Sequence, residues 1–191
     1  MAAPAPAEAR ITVERYFRLV DEGTLRPDDR VELLEGVIVS MSPQNPPHAG
    51  IVSMLTTLFV RRVGDRASVR VQLPLIMGAL SVPEPDIAIV PGRDVDYLAA
   101  HPTTALLVVE VADSSVAQDR LTKAAIYARG GVPEYVLVNL RDDCIELRRS
   151  PDRAAGVFQN VRVLRRGERV QLVEFPDVEV TVDELLPPSA S

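Results

Sequence analysis

The sequence predicts a mixed α/β (α+β) fold: a curved, mixed β-sheet flanked by helices. An N-terminal helix and β-hairpin precede it, and additional antiparallel strands follow it. Two observations carry this. Between Leu106 and Asn139 the chain reads as an apolar run, a polar loop, about four helical turns, Gly130-Gly131 and a second β-branched run. That is strand, helix, strand, the pattern of a right-handed crossover within an α/β sheet. On either side of it lie short β-branched runs broken by turn residues, the signal of hairpins added to such a sheet. No internal repeat and no linker interrupts the 191 residues, of which 47% are hydrophobic. Residues 10–187 are therefore expected to form a single domain, with 1–9 (MAAPAPAEA) as a disordered tail.

Taken in order, Thr12 to Glu22 has Val13, Phe17 and Val20 on one helical face, and Gly23 ends it. Val31–Leu34 and Val37–Met41 flank Glu35-Gly36 as a hairpin. Ser42 to Pro47 is expected to continue neither neighbour. From His48 to Asp65, Ile51, Leu55, Leu58, Phe59 and Val63 recur at helical spacing. Ala67 to Met77 alternates like a strand and is interrupted by Pro74, and Ile87–Val90 is a short apolar strand. The long connection after it holds at most a helical turn at 97–100. Past the crossover, strands are expected at 144–148, 157–164, 169–173 and 177–181, with a last helical turn at 182–186.

No stretch approaches the length of a membrane span, and the first residues lack the basic start and apolar block of a secretory signal. The single cysteine, Cys144, excludes a disulfide framework and a cysteine zinc site and is expected to serve packing. The expected location is cytoplasmic. A net charge of −6 argues against a protein that coats DNA. Two arginine clusters stand out: Arg61, Arg62, Arg66 and Arg70, and then Arg148, Arg149, Arg153, Arg162, Arg165, Arg166 and Arg169. They read first as solvated faces, with a phosphate-facing surface as the alternative.

Three residues are chemically conspicuous. Asp86 sits at the mouth of one apolar strand, and Glu110 lies inside another. A carboxylate in an apolar strand is costly unless something pairs with it. That partner is either an arginine or a divalent ion shared by the two acids, since magnesium needs only one or two carboxylates besides water and phosphate. The third is Lys123, the only lysine among 21 basic residues. An ammonium is a compact point charge, unlike the planar arginine fork, so a lone lysine in an arginine background points to a site that arginine cannot fill. Asp119, Lys123 and Tyr127 are four apart and share a helix face. Leu121, Ala124, Ala125 and Ala128 form a different stripe, expected in the core.

The order Pro85-Asp86, Glu110, Asp119-x-x-x-Lys123-x-x-x-Tyr127 and Gly131-Val132-Pro133-Glu134-Tyr135 resembles the bacterial Uma-two family of restriction-endonuclease-type proteins, within the PD-(D/E)XK nuclease superfamily. Glu32-Leu33-Leu34-Glu35-Gly36, Ser42-Pro43, His48 and the ending FPDVEVTVDELLP extend the resemblance over roughly 12–186. It implies a restriction-endonuclease-like fold and magnesium- or manganese-dependent hydrolysis of phosphodiester bonds in DNA. Asp86, Glu110 and the Val111 carbonyl would hold the ion, and Lys123 would stabilise or activate the attacking water. The superfamily's lysine two residues after the glutamate is replaced here by Ala112, and the family carries its lysine on the following helix, which fits Lys123. Three further departures are Ala112-Asp113-Ser114 for Leu-Ser-Pro, Tyr135-Val136 for Tyr-Trp, and Asn139 for aspartate. Asp113 adds negative charge near the site. Glu32 reads either as an outer metal ligand or as a strand-surface ion pair, and His48 as a substrate contact or a structural helix-terminal residue. A homodimer would let two sites meet two DNA strands. The alternative function is a nucleic-acid-binding or regulatory module of the same fold without useful catalysis.

Overall fold

Runs that are β-branched throughout need apolar cover on both faces, and the three such runs here lie at the centre of the sheet. Strands β4 (Ile87–Val90), β5 (Leu107–Ala112) and β6 (Glu134–Asn139) are buried along their whole length in the computed structural model, which describes residues 10–41, 43–113 and 115–188. Residues 1–9, read above as a disordered tail, lie outside the described residues, as do Ser42 and Ser114. With β3 (Ser68–Arg70), β7 (Cys144–Asp152) and β8 (Val157–Leu164), these strands make a six-stranded sheet in the order β3-β4-β5-β6-β7-β8. Only β5 and β6 run parallel; every other neighbour pair is antiparallel. The sheet is thus mixed, as the crossover and the hairpin-like runs imply.

The N-terminal elements form as expected. Helix α1 (Val13–Asp21) is capped by Thr12, whose hydroxyl accepts the Arg15 N–H at 3.2 Å. Strands β1 (Val31–Leu34) and β2 (Val37–Ser40) pair across Glu35-Gly36, both at positive φ (50° and 83°), the backbone form favoured in two-residue hairpins. A side chain at Gly36 would meet Arg10 Cβ at 2.6 Å, so the second position needs glycine for space as well as for φ.

Helix α2 (Pro46–Val63) starts earlier than its apolar periodicity suggests. Pro46 and Pro47 occupy its first two positions, where the missing N–H groups cost nothing, and the Asn45 side chain accepts the His48 N–H at 3.0 Å. The strand expected over 67–77 is shorter. It ends at Arg70 because Gln72 turns left-handed, at φ 51°, and Pro74 follows. The helical turn expected at 97–100 lies at Asp94–Tyr97 instead, where Asp96 accepts the Arg93 N–H at 2.8 Å.

The crossover helix is not uniform. It runs as α3 (Val116–Gln118), a π-helical turn (Asp119–Lys123) and α4 (Ala124–Gly130), closed by Gly131 at φ 80°. Leu121, expected in the core, is 69% exposed, because the π turn shifts it off the stripe formed by Ala124 and Ala128. The chain ends with β9 (Arg169–Gln171) paired to β10 (Glu179–Thr181), then α5 (Val182–Leu185). Among the described residues no helix is long and apolar enough to cross a membrane.

Strand alternation gives the central sheet two apolar faces, and Tyr16, Leu33 and Val82 form a third, separate cluster. Leu107, Val109 and Val111 of β5 point to the face covered by Ile51, Leu55, Phe59 and Val63 of α2. Val108 and Ala112 point to the opposite face, against Ala124, Tyr127 and Ala128 of α4. Glu110 shares their parity and so faces α4. Leu55 is fully buried between α2 and the sheet. Leu55→Ala is expected to lower unfolding stability by about 2–5 kcal/mol, read as a reduced urea midpoint at unchanged slope.

Candidate active site

Asp86 and Glu110 are brought together by register. Ile87 pairs with Val109 in the antiparallel β4–β5 ladder, so the residue before one stands beside the residue after the other. The Asp86 N–H donates to Glu110 Oε2 at 3.4 Å, and the Val111 N–H donates to Asp86 Oδ2 at 2.8 Å. Both acids are buried, at 7% and 3% exposure.

The helix meets them from above. Lys123 Nζ donates to Glu110 Oε1 at 3.1 Å, and the Tyr127 hydroxyl donates to the same oxygen at 2.7 Å. The lysine also lies 3.3 Å from Glu32 Oε2 and 3.8 Å from Asp119 Oδ1. Asp119 is held in turn by the Ser115 hydroxyl at 2.5 Å, and its backbone carbonyl accepts the Tyr135 hydroxyl at 3.1 Å. The shared face of Asp119, Lys123 and Tyr127 is therefore turned inward, onto Glu110.

Other residues complete the cleft. His48, from the first turn of α2, places Nε2 3.1 Å from Asp86 Oδ2, while Gln72 Nε2 donates to Asp86 Oδ1 at 3.0 Å. Asp113 accepts from Asn45 Nδ2 at 3.2 Å and so is tied to the cap of α2. Glu32 is not a strand-surface ion pair; it is buried at 3% exposure inside the same cleft, pairs with Lys123 and accepts the Glu84 N–H at 3.2 Å. Tyr127, Gln72 and Ser115 were not singled out from the sequence as partners of the acids. Only Tyr127 had a signal there, its four-residue spacing from Lys123.

The cleft holds about 100 Å³ and is lined by six carboxylates (Glu32, Glu84, Asp86, Glu110, Asp113 and Asp119) against Arg30, Lys123 and His48. Burial pushes Glu110 up to about 8; Lys123 opposes this, and Asp119, Asp86 and Glu32 reinforce it. Burial likewise raises Asp119 and Glu84. Burial would lower Lys123, but Glu110, Glu32 and Asp119 hold it charged, above its ordinary value. Asp86 differs. Burial would raise it, yet the hydrogen bonds from His48, Gln72 and Val111 bring it below the usual carboxylate value. The hydrogen bond to Asp86 raises His48 correspondingly.

One buried ammonium cannot neutralise this many acids, and the excess negative charge suits a divalent cation. Among the described residues no three His, Cys, Asp or Glu side chains converge as a formed ion site. The donors nonetheless fit a hard ion in kind and charge. Glu110 Oε2 makes only the long 3.4 Å contact and keeps a lone pair unspent.

The sequence matches the profile of the Uma2 family, described as "Putative restriction endonuclease", over residues 13–183. The chain belongs to the Uma2 family. A similar solved structure is that of "a putative nuclease belonging to DUF820" from Anabaena variabilis. It superposes with a TM-score of 0.74 at 17% identity, covering 92% of this chain and 97% of that one. At that identity the likeness establishes the fold. No curated protein matches significantly.

The Uma2 chain carries its arginine clusters largely as internal ion pairs. Arg62 pairs with Glu184 at 2.6 Å, Arg66 with Asp177 at 2.8 Å, Arg148 with Glu146 at 2.9 Å and Arg166 with Asp143 at 2.7 Å. Arg62 and Arg66 thus staple the end of α2 and the turn after it to the C-terminal segment, Arg148 pairs within β7, and the clusters do not present a continuous phosphate-facing track.

The raised Glu110 has a thermodynamic consequence. Between its ordinary value of 4.5 and about 8, the folded chain keeps a proton that the unfolded chain has lost. This group's contribution to stability therefore falls as pH rises through that window and is fully lost above it. Urea unfolding of chelator-treated protein across the window is expected to show this decline, and Glu110→Gln is expected to flatten it. An unchanged slope in the variant would assign the decline to another group.

Proposed function

We propose that this Uma2 protein is a divalent-metal-dependent endonuclease that hydrolyses phosphodiester bonds in DNA. The observation that carries this reading is the meeting of Asp86, Glu110 and the chain's only lysine in one carboxylate-rich cleft. Family membership supports it independently.

Asp86 and Glu110 supply carboxylate oxygens for the ion, with the Val111 carbonyl beside them. Bound there, magnesium or manganese would polarise a phosphoryl oxygen and ease deprotonation of water. Lys123 holds Glu110 in place and presents an ammonium toward negative charge that develops on the phosphate. Tyr127 fixes the orientation of the Glu110 carboxylate through its hydroxyl. Asp119 and Glu32 keep the ammonium charged and stationary. DNA is the substrate that the family reading favours, acted on in the cytoplasm by a homodimer whose two sites meet two strands.

One observation favours the alternative, a binding or regulatory module without useful catalysis. The cleft is strongly acidic, and most of the clustered arginines are already spent on ion pairs. Cleavage of plasmid and oligonucleotide DNA with magnesium or manganese separates the two. Wild type should cut, whereas Asp86→Asn, Glu110→Gln and Lys123→Met should each lose about 100-fold or more. Lys123→Arg should not restore activity, because the planar fork does not fit a pocket shaped for a point charge. Equal cutting by wild type and Lys123→Met would remove the lysine from the chemistry, and no cutting by any form would favour the binding module.

A further inference from the structure

The metal reading leaves His48 without a task, although it is the side chain that most directly contests Asp86. A carboxylate has about four lone-pair sites. Three on Asp86 are taken, by the Val111 N–H, by His48 and by Gln72. Oδ2 is the oxygen with two partners, so an ion that binds it must displace one of them or enlist it. The backbone N–H is fixed by the β5 strand and can only donate. A neutral imidazole, in contrast, carries a lone pair on one ring nitrogen and can turn from a partner of the carboxylate into its fellow ligand.

The distances suit that change. Two donors in adjacent octahedral positions, each roughly 2.1 Å from an ion, stand about 3.0 Å apart. His48 Nε2 and Asp86 Oδ2 are 3.1 Å apart. The ring is held at that spot by the first turn of α2, whose N-cap Asn45 binds the His48 N–H. The second ring nitrogen, Nδ1, is buried with no hydrogen-bond partner. Asp86 can only accept, so without an ion the ring carries its proton on Nε2; because Nδ1 is open, the proton can shift there when an ion takes its place, and Nε2 then presents its lone pair. The groups around the ring are those of the proposed ion site: Asp86, the Val111 backbone and, farther off, Asp119.

We propose that His48 is a nitrogen ligand of the divalent ion, so that the site combines oxygen donors from Asp86 and Glu110 with one imidazole. This rests on the metal reading above and goes beyond it by fixing the donor set. A nitrogen donor shifts preference from magnesium toward first-row transition ions, manganese among them.

The experiment loads chelator-stripped, full-length protein with manganese and records electron spin echo envelope modulation. Wild type is expected to show imidazole nitrogen coupled to the ion, with the coupling altered when the protein is grown on isotope-labelled histidine. The chain has two histidines. His101→Gln, which removes the ring stacked on Phe17, should keep the signal, and His48→Gln should lose it. Manganese affinity in His48→Gln should fall by about tenfold or more, the loss already typical of removing a ligand's supporting partner. The labelled wild type answers the question even if a variant folds poorly. Manganese bound without histidine coupling would overturn the assignment of His48 and leave the carboxylate site standing. No manganese binding by wild type would overturn the metal reading and this proposal together.

Discussion

One ammonium among buried carboxylates is the constraint on which the site depends. Lys123 Nζ lies within 4 Å of Glu110, Glu32 and Asp119, all nearly sealed from water. Those acids come from β5, from the N-terminal hairpin and from the crossover helix itself, so the lysine ties three separate parts of the chain to one point. Buried ion clusters are poor devices for stability. Replacing one with well-packed apolar groups is often neutral or better, while removing a single partner costs about 3–5 kcal/mol. Such a cluster is easier to understand as chemistry that the fold tolerates than as a brace that the fold requires.

The rest of the architecture makes that tolerance possible. The parallel pairing of β5 with β6 obliges a crossover, and the crossover lays a helix across the face that Glu110 occupies. Ala124 and Ala128 keep that helix close to the sheet. Tyr127 and Tyr135, both fully buried with ring centroids 5.2 Å apart, fill the space beside the acid with apolar bulk. Each tyrosine also spends its hydroxyl on the cluster, one on Glu110 and one on the Asp119 carbonyl. The same apolar surroundings that dry the pocket are what drive Glu110 away from its ordinary ionisation.

What was legible beforehand follows the range of the signals. Strand, helix and strand from Leu106 to Asn139 could be read because periodicity is local, and the lone lysine could be read because composition is global. Asp86 and Glu110 stood out as charges beside apolar runs. Local pattern carried no trace of the long-range partners. Glu32 reaches Lys123 across 91 positions of sequence only because the hairpin docks beside the sheet through the Leu33–Val82 bridge. Gln72 meets Asp86 because its backbone turns left-handed, which no residue type at that position announces. The π turn at Asp119–Lys123 was equally silent. It adds no residue class of its own, yet it moved Leu121 from an expected core position to the surface.

The solitary lysine has a further implication, for how this molecule meets the reagents and enzymes of a cell. Apart from its amino terminus, the chain offers a single primary amine, 6% exposed and enclosed by acids. Its surface cations are guanidinium groups, which acyl donors and ubiquitin ligases that seek lysine do not use. On a side chain, a modification of that kind could be placed only on Lys123, and only after the crossover helix had lifted from the sheet. An acyl mark there would cancel the charge around which Glu32, Glu110 and Asp119 are gathered, leaving those carboxylates only their neutral hydroxyl and backbone N–H partners.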